Sequence, residues 1–472
     1  MGLKTLTIDF TKFTQEPLVR SNYKTAILGI EIKKQIQKSK NKFVRLKEHF
    51  DITSGFAFKS ADYKKEGLPL IRIGNVGNDF DENNMVFLPE GYKDNYSRFL
   101  LKKNDIIVSL TGDGKLKSDL ILENNKYLLN QRVGSLKAKE NTNILFFFYL
   151  LCYFSFTKKQ FYWWSNGKTQ LNISPFDFLK IKIPLIPKSK QNQIVSQIKP
   201  IEKKIKKLKT QIISPQEVFN KIFAKEFKFD LKEISNIEKI KYFSVSNNIT
   251  YRNFNLRSSV RWNKIKPIQK VLYKNNPYIE KLSKYILSTR NGWSPNCRET
   301  DTKNCVFGVN SISKNGYIKF EDLKFSNENK TNITEYYAKE NDLFVSRGNT
   351  VDLVALASII KNLPKETNFI FPDLFIRIEL NTKQLNKEYF TFLFNSIIGR
   401  YYFKYSAKGK NQTMVKISSD ELNNFYLPTP PLILQQKIVN KIKSELNKQE
   451  KIKKQIKAKR NKIDEIIKTS IN

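Results

Sequence analysis

Histidine and cysteine are almost missing from this chain of 472 residues, which holds one histidine and three cysteines. With His49 alone, a histidine-centred metal or acid–base site is not expected, and we interpret His49 as a structural or surface residue. Cys152, Cys297 and Cys305 form no Cys-x-x-Cys pair, which argues against a disulfide framework. We therefore expect a reducing, cytoplasmic compartment.

Long apolar runs are also missing. The most apolar run, Ile144–Phe154, is much shorter than the ~20 residues that a membrane-spanning helix needs. Its counterpart in the second half, Tyr389–Ser396, is interrupted by polar residues. We expect both to form buried helices, and no membrane association. The first ten residues contain no apolar stretch typical of a signal peptide.

Acidic residues are scarce beside basic ones. Lysine and arginine number 84 against 44 aspartates and glutamates, a formal net charge of +40. Such a field attracts polyanions, of which nucleic acid is the commonest. A second interpretation stays open, because an AT-rich coding sequence raises the lysine content without any functional cause. The 40% hydrophobic content excludes a disordered chain.

The sequence is written twice, with the copies 237 to 244 residues apart. A period this long is far beyond the roughly 20–50 residues of solenoid repeats, so it indicates two copies of a whole domain. The repeated segments are Lys103–Ser109 with Glu340–Ser346, Gly167–Gln170 with Gly409–Gln412, Ile181–Pro187 with Phe425–Pro431, and Gln191–Ile198 with Gln435–Ile442.

Short apolar runs between glycine and asparagine turns predict strands at Pro69–Val76 and Asp105–Leu110, with partners at Val306–Ile312 and Asp342–Ser346. Charged helices follow each mixed region. We predict an α/β (α+β) fold with two similar globular domains. The predicted boundaries are 1–187 for the first domain, 188–235 for a central spacer helix region, 236–431 for the second domain and 432–472 for a C-terminal spacer helix.

Each spacer carries an apolar seam at heptad spacing. The seam residues are Ile194, Ile198, Ile201, Ile205, Leu208 and Ile212 in the first copy, and Ile438, Ile442, Ile452 and Ile456 in the second. Glu445 and Gln449 interrupt the second seam. A seam this narrow needs a partner, and we expect the two spacer helices to pair as an antiparallel coiled coil.

The length of the first spacer suggests a spacing device. A helix over residues 189–213 would be ~37 Å long, close to the about 34–36 Å of one turn of DNA. Two domains held this far apart can reach two sites on one face of a duplex. Pro200 lies inside the seam, and we expect it to kink the helix there.

The segments that partly match catalytic motifs are each incomplete. Asn275–Tyr278 lacks one proline of an amino-methyltransferase loop, and Gly167–Thr169 lacks the first glycine of a phosphate-binding loop. Pro372-Asp373 with Glu379 lacks the lysine of a nuclease site. The sequence therefore predicts no catalytic residue, no metal site and no cofactor.

Candidate DNA contacts are polar side chains near strand ends and in the two Gly-x-x-Gln loops, because paired contacts to base edges need arginine, asparagine or glutamine. They are Arg72, Asn75, Gln131, Arg132, Lys168, Gln170, Arg347, Asn349, Lys410, Asn411 and Gln412. For each, a turn or capping role stays open. For Gly167 and Gly409 a role in backbone conformation is favoured over DNA contact. Gln170 and Gln412 could serve the junction with the spacer as well as base reading.

The ordered set of motifs resembles the specificity subunits of type I restriction–modification systems. The matching residues are the Gly-x-x-Gln loop, an Ile-Ser pair, a proline-containing exit, and a glutamine with an Ile-Val pair that opens the heptad helix. In the first half these are Gly167, Gln170, Ile173-Ser174, Pro184, Pro187, Gln191 and Ile194-Val195; in the second, Gly409, Gln412, Ile417-Ser418, Pro428, Pro431, Gln435 and Ile438-Val439. Phe219–Phe229 also resembles the close of the family's central spacer.

This resemblance implies two target-recognition domains, paired spacers and no chemistry in the chain itself. It implies double-stranded DNA as a partner, together with two methyltransferase subunits and, through them, restriction subunits. The methyl donor, ATP and base flipping would belong to those partners.

Three other interpretations stay open. One is a specificity subunit of another restriction architecture, with a fused methylase–nuclease partner. Another is an RNA- or single-strand-binding module that uses its many Phe and Tyr residues for stacking. The third is a coiled-coil scaffold without nucleic acid.

Overall fold

The computed structural model describes residues 23–77, 85–167, 170–243, 260–274, 276–298, 304–321, 323–409 and 414–471. Its contacts divide the chain into two compact units. Unit 1 contains the residues up to Thr210 and those from Lys453, and unit 2 runs from Gln211 to Ile452. Both units mix helices with short strands, which confirms the predicted α/β (α+β) class and the two-domain organisation. The predicted four-part division of the sequence stays a prediction.

Unit 1 begins with a helix and then alternates short strands with helices. Its helices are α1 (Tyr23–Lys38), α2 (Tyr92–Asn95), α3 (Ile144–Tyr153), α4 (Ser155–Trp164), α5 (Pro175–Phe178) and α6 (Lys188–Lys209). Its strands are β1 (Phe43–Arg45), β2 (Phe50–Ser54), β3 (Leu68–Ile71), β4 (Val86–Leu88), β5 (Ile106–Ser109), β6 (Thr111–Gly112), β7 (Ser118–Leu120), β8 (Leu128–Leu129), β9 (Val133–Ala138), β10 (Leu171–Asn172) and β11 (Lys182–Pro184).

Unit 2 repeats this order after two extra helices. Its helices are α7 (Pro215–Phe227), α8 (Leu231–Lys239), α9 (Val260–Asn263), α10 (Ile265–Tyr273), α11 (Lys387–Asn395), α12 (Ile397–Ser406) and α13 (Ser419–Asn423). Its strands are β12 (Ile279–Lys281), β13 (Ile286–Asn291), β14 (Asn304–Val306), β15 (Lys324–Ser326), β16 (Leu343–Ser346), β17 (Gly348–Asn349), β18 (Ala357–Ile359), β19 (Asn368–Ile370), β20 (Phe375–Leu380), β21 (Val415–Lys416) and β22 (Tyr426–Pro428). The last helix, α14 (Leu432–Ile471), is divided between the units after Ile452.

The two units share one sheet topology. Unit 1 has an antiparallel sheet in the order β2-β9-β5-β7, and unit 2 has β13-β20-β16-β18. The three-stranded sheets, β4-β3-β8 and β15-β14-β19, each combine one antiparallel and one parallel pair. Two-stranded pairs also correspond: β1-β11 with β12-β22, and β10-β6 with β17-β21. The sequence repeat is therefore a repeat of fold.

The apolar runs form the buried strands and helices that their sequence patterns predict. Every residue of β5 and of its counterpart β16 is buried, as expected of a strand covered on both faces. Helix α3 is buried from Phe146 to Leu151, and the Asn143 side chain caps it by accepting a hydrogen bond from the Phe146 N–H at 3.2 Å. Its counterpart α11 is buried as well. Within the described ranges, no helix combines the length and apolar character needed to cross a bilayer.

Two predicted strands are shorter than their apolar runs. The run Pro69–Val76 stays extended only to Ile71, and the run Val306–Ile312 only at its first residue. Short 3-10 turns follow, at Ile73–Asn75 and Val309–Ser311. Glycine and asparagine within these runs favour a turn over an extended strand.

The spacer seam is only partly as predicted. Ile194, Ile198 and Ile205 are buried, and Ile201 and Leu208 are half-buried. The prediction for Ile212 is wrong, because α6 ends at Lys209. Ser214 and Pro215 start the next helix with a capping box, and a residue before proline avoids the helical conformation. Helix α6 is continuous through Pro200.

The seams also find partners within their own units. Helix α6 packs on α3, and the Tyr149 hydroxyl donates to Glu202 at 2.9 Å. In unit 2, Ile438 and Ile442 of α14 belong to the main hydrophobic core. In the second seam, Ile452 is half-buried and Ile456 is buried. Pairing between the two spacers stays a prediction.

The polar interruption of the second seam has a structural role. Gln449 is buried, and its side-chain oxygen accepts a hydrogen bond from the Ile213 N–H at 3.1 Å. It thereby satisfies a backbone donor in the turn that precedes α7. Gln449 belongs to the packing of unit 2.

Each unit is completed by a helix from the other half of the sequence. In unit 1, the tail of α14 buries Ile463, Ile467 and Ile471, and Asp464 accepts a hydrogen bond from the Ser155 N–H at 2.9 Å. In unit 2, α7 takes the corresponding place. The Asn220 side chain accepts from the Ile397 N–H at 2.6 Å. Helices α4 and α12 are thus capped in the same way.

Candidate nucleic-acid interface

Three loops meet at one edge of unit 1. We define the loop edge of unit 1 as residues 110–115, 131–132 and 166–173 without the two undescribed ones. The Leu110 N–H donates to the Arg132 carbonyl at 3.0 Å, and the Ile173 N–H donates to the Leu110 carbonyl at 2.9 Å. Strand β6 then pairs with β10, next to the Gly-x-x-Gln loop. Backbone hydrogen bonds thus join the three loops at this junction.

Unit 2 builds the same junction. Its loop edge consists of residues 347–349, 373–374 and 414–417. The Arg347 N–H donates to the Leu374 carbonyl at 2.6 Å, and the Ile417 N–H donates to the Arg347 carbonyl at 2.9 Å. Strand β17 pairs with β21, as β6 pairs with β10. The backbone scaffold is therefore the same in both units.

The side chains on this shared scaffold differ between the units. Unit 1 has Arg132 where unit 2 has Leu374, and unit 2 has Arg347 where unit 1 has Leu110. Each loop edge carries one of these two arginines, and the two arginines occupy different positions of the same backbone scaffold. Arginine can form a paired contact to a guanine edge, so the two edges can read different bases.

The structure brings together only some of the predicted contact residues. Gln131, Arg132 and Gln170 lie exposed on the loop edge of unit 1. Arg347 and Asn349 lie half-buried on the loop edge of unit 2, where Asn349 accepts the Thr350 N–H at 2.8 Å. The remaining predicted loop residues, Lys168, Lys410, Asn411 and Gln412, lie outside the described residues.

Arg72 and Asn75 lie in the turn that follows β3, whose last residue, Ile71, accepts the Asn130 N–H at 3.0 Å beside the loop edge. Asn75 is buried, and its side-chain oxygen accepts the Arg72 N–H at 3.0 Å. The Arg72 guanidinium lies over the Tyr63 ring, 5.6 Å from its centre. DNA contact by Asn75 stays a prediction, and its burial argues against it, because a base-reading amide must be accessible.

The loop glycines have a backbone reason. Gly167 adopts φ +133°, and a Cβ atom there would lie 2.1 Å from the Gln170 carbonyl oxygen. A Cβ at Gly409 would lie 2.7 Å from the Met414 carbonyl oxygen. Both loops close so tightly that only glycine fits. The backbone interpretation of these glycines is confirmed.

Sequence reasoning missed an aromatic pair beside each loop edge. The Phe56 carbonyl accepts the Gln131 N–H at 3.0 Å, and the Phe56 ring lies 5.5 Å from Phe99. In unit 2 the corresponding rings are Trp293 and Tyr336, 5.9 Å apart. The signal was present, because Gly55-Phe56 and Gly292-Trp293 are a Gly-aromatic repeat at the same spacing. Partly exposed aromatic rings can stack on bases or sugars.

Residues that commonly serve in acid–base catalysis or metal binding are few, with one histidine and three cysteines in the chain. The His49 ring packs 4.6 Å from the Phe147 ring, and burial lowers the pKa of His49, which fits the predicted structural role. Cys152, Cys297 and Cys305, which all lie in the described ranges, form no disulfide bonds. In the part of the chain that the structure describes, no three His, Cys, Asp or Glu side chains are grouped as metal ligands.

Residues 38–215 match the family model of the type I restriction modification DNA specificity domain. The chain is 34% identical over 165 residues to the type I restriction enzyme MjaVIII specificity subunit of Methanocaldococcus jannaschii, covering 34% of this chain and 39% of that protein. It is 29% identical over 175 residues to the EcoAI specificity subunit of Escherichia coli, covering 35% of this chain and 29% of that protein.

Among solved structures, the chain is similar to a type I restriction–modification S subunit from M. genitalium. The sequences are 13% identical, the alignment covers 92% of this chain and 97% of that one, and the TM-score is 0.38. The two curated relatives are matched over less than half of their length. Over residues 38–215 the chain thus matches the type I restriction modification DNA specificity domain, and it is similar to specificity subunits of type I restriction enzymes.

Proposed function

We propose that this chain is the DNA-binding specificity subunit of a type I restriction–modification complex and reads a bipartite, asymmetric site without performing chemistry. The observation that carries this proposal is the loop edge, built twice with the same backbone hydrogen bonds and different arginine positions. A shared scaffold supports two equivalent DNA contacts. Different side chains support two different half-sequences.

The charge of the chain favours duplex DNA as the ligand. A net charge of +40 supplies the sequence-independent attraction to phosphates. Gln131, Arg132 and Gln170 are exposed on one loop edge and have the side chains that pair with purine edges. The neighbouring aromatic pair adds a surface for stacking or sugar contact.

The partners follow from the same proposal. Two methyltransferase subunits would dock, one for each half, and restriction subunits would join through them. The methyl donor and ATP would be bound by those partners. We further propose that the spacer helices pair and set the distance between the half-sites, supported by the apolar residues that the seams share.

The decisive experiment is to map modified bases in DNA from cells that express the complete system. We expect modification at one sequence made of two unlike halves with a fixed gap. Duplex binding by the purified chain with its methyltransferase subunits should resist competition by single-stranded DNA and RNA. Equal competition by single strands, or modification within a contiguous symmetric sequence, would contradict the proposal.

The size of the co-purified partner separates the remaining architecture. A methyltransferase subunit without a nuclease domain supports the type I assignment. A single large partner with both activities would place the chain in another restriction system.

A further inference from the structure

Unit 1 contains a cleft of about 440 Å³ between α3, α4, α6, the tail of α14 and the loop before β7. We call it the basic cleft, because six cationic side chains line it. These are Lys115, Lys117, Lys158, Lys206, Lys209 and Arg460. It shares Lys115 with the loop edge but is not lined by Gln131, Arg132 or Gln170, the residues that we assign to base reading.

The acidic side chains of the cleft are already engaged. Asp119 accepts a hydrogen bond from the Gly77 N–H. Glu202 accepts the Tyr149 hydroxyl at 2.9 Å. Burial raises the pKa of Cys152 to about 12, so this thiol is neutral at pH 7 and supplies no counter-charge. The cleft thus carries an excess of positive charge.

Lys158 is the most important of the positively charged residues that line the basic cleft. It is half-buried on α4, and within the described ranges its ammonium has no hydrogen bond or ion pair. Burial has the largest effect on the pKa of Lys158 and lowers it; Arg460 lowers it further, whereas Cys152 and Asp464 raise it, and the net shift is downward. Asp464 offsets this only in part, because its carboxylate also accepts the Ser155 N–H and pairs with Lys468 at 2.8 Å. A partly desolvated cation that faces another cation is unfavourable unless an anion joins them.

Unit 2 provides an internal comparison. The position of Lys158 on α4 corresponds to Arg400 on α12, which is buried. The Arg400 guanidinium donates to the carbonyl oxygens of Val354, at 2.5 Å, and Asp352, at 3.2 Å. The loop that holds these carbonyls is apolar and buried from Val354 to Leu356, where the loop of unit 1 has Lys115 and Lys117. The same fold thus satisfies its cation in unit 2 and leaves it without a partner in unit 1.

We propose that the basic cleft of unit 1 binds a phosphate group. A phosphate offers several acceptor oxygens and more than one negative charge, which suits a cluster of lysines with one arginine better than a single carboxylate does. The group can come from a free di- or triphosphate or from the backbone of the bound DNA. Lys158 and Arg460 hold it, and the loop and α6 lysines surround it.

The test uses the full chain with its methyltransferase partners and three variants. Lys158→Met and Arg460→Met remove the two central charges at similar side-chain length. Lys159→Met is the matched control, because Lys159 is the next residue of the same helix but is exposed and paired with Glu31 at 3.0 Å. Calorimetry measures binding of inorganic pyrophosphate, and fluorescence anisotropy measures binding of a duplex that contains the target site.

We expect the Lys158 and Arg460 variants to weaken one probe at least tenfold, with the control within twofold of wild type. Loss of pyrophosphate binding assigns the cleft to a free phosphate. Loss of duplex binding alone, equal for target and non-target sequences, assigns it to the DNA backbone. Unchanged binding of both probes overturns the proposal, and so does an equal loss in the control.

Folding and the proposed function are checked separately. Circular dichroism must show the same secondary structure for all variants. The modified sequence should be the same in every variant, since no loop-edge residue changes. A failed phosphate test with an intact bipartite sequence would remove the cleft and leave the specificity assignment in place.

Discussion

Single residues on the loop edges decide whether the two units read DNA independently. Arg132→Ala should relax recognition at one base of one half-site, and Arg347→Ala at one base of the other. A paired arginine–guanine contact is worth about 1–3 kcal/mol of discrimination, so we expect roughly a tenfold to hundredfold loss of preference at that base. Binding to a panel of single-base variants of the target measures it.

Arg45→Ala is the matched control for this prediction. Arg45 is exposed on β1, which pairs with β11 next to the spacer rather than with a loop edge. Its loss should lower affinity equally for all sequences or not at all. A base-specific effect of Arg45→Ala, or no base-specific effect of either loop-edge variant, would contradict the assignment.

Asn75 should act on stability instead of recognition. Asn75→Ala removes the side-chain oxygen that accepts the Arg72 N–H in a buried turn. We expect a loss of about 1 kcal/mol in the free energy of unfolding, the usual cost of such a cap. Urea unfolding measures it. An altered target sequence with unchanged stability would instead support the predicted DNA contact.

Lys158 gives a prediction on pH dependence. Its pKa in the folded state lies below the ordinary value of 10.5, because of burial and Arg460 and despite Cys152 and Asp464. The folded state therefore bears the full cost of the charge at neutral pH, and loses that cost as pH rises toward 10.5. In phosphate-free buffer, Lys158→Met should raise the melting temperature at pH 7 and have less effect at pH 10. An effect that is constant with pH would contradict this.

At the scale of elements, the caps of α4 and α12 show how each unit depends on a distant helix. Asp464→Ala should destabilise α4 in unit 1, and Asn220→Ala should destabilise α12 in unit 2, each by about 1 kcal/mol. Hydrogen exchange by mass spectrometry should place each effect in one unit only. Asp464→Asn keeps an acceptor oxygen and copies the residue of unit 2, so it should leave α4 protected. Faster exchange in both units from one variant would contradict this dependence.

Sequence patterns predicted the elements that are determined by residues close to one another in the sequence. The buried helices α3 and α11 and the strands β5 and β16 follow from runs of mainly apolar residues. The repeat predicted two copies of one fold, which the sheet orders confirm. The loop glycines Gly167 and Gly409 were assigned to the backbone for a local steric reason.

The remaining features depend on contacts distant in sequence. Nothing local shows that α14 joins unit 1 through Asp464, 309 residues from Ser155. Burial of Asn75 and the role of Gln449 depend on packing, since both residue types are ordinary on surfaces. The end of α6 was readable in principle from Ser214-Pro215, but the isoleucines at 212 and 213 extended the apparent seam. The basic cleft appears only when α4, α6 and α14 are assembled.

For the whole molecule, the proposal requires that one half-site can be changed without the other. Exchanging residues 63–177 for the corresponding region of a relative replaces the loop edge of unit 1, including Arg132 and Gln170. It leaves β2, β11, α6 and the tail of α14 in place. The new β9 must pair with the old β2, and this ladder depends on backbone hydrogen bonds, which tolerate different side chains. The exchange should therefore fold.

We expect the exchanged protein, with its partners, to modify a sequence with one new half, one old half and an unchanged gap. The gap stays because the spacers are untouched. The matching exchange in unit 2, from the residues after β13 to α13, should change the other half only. Mapping modified bases in cells that carry each exchange measures both outcomes. If either exchange altered both halves, the two units would be reading DNA jointly, and a repeated scaffold with different arginine positions would not explain an asymmetric target.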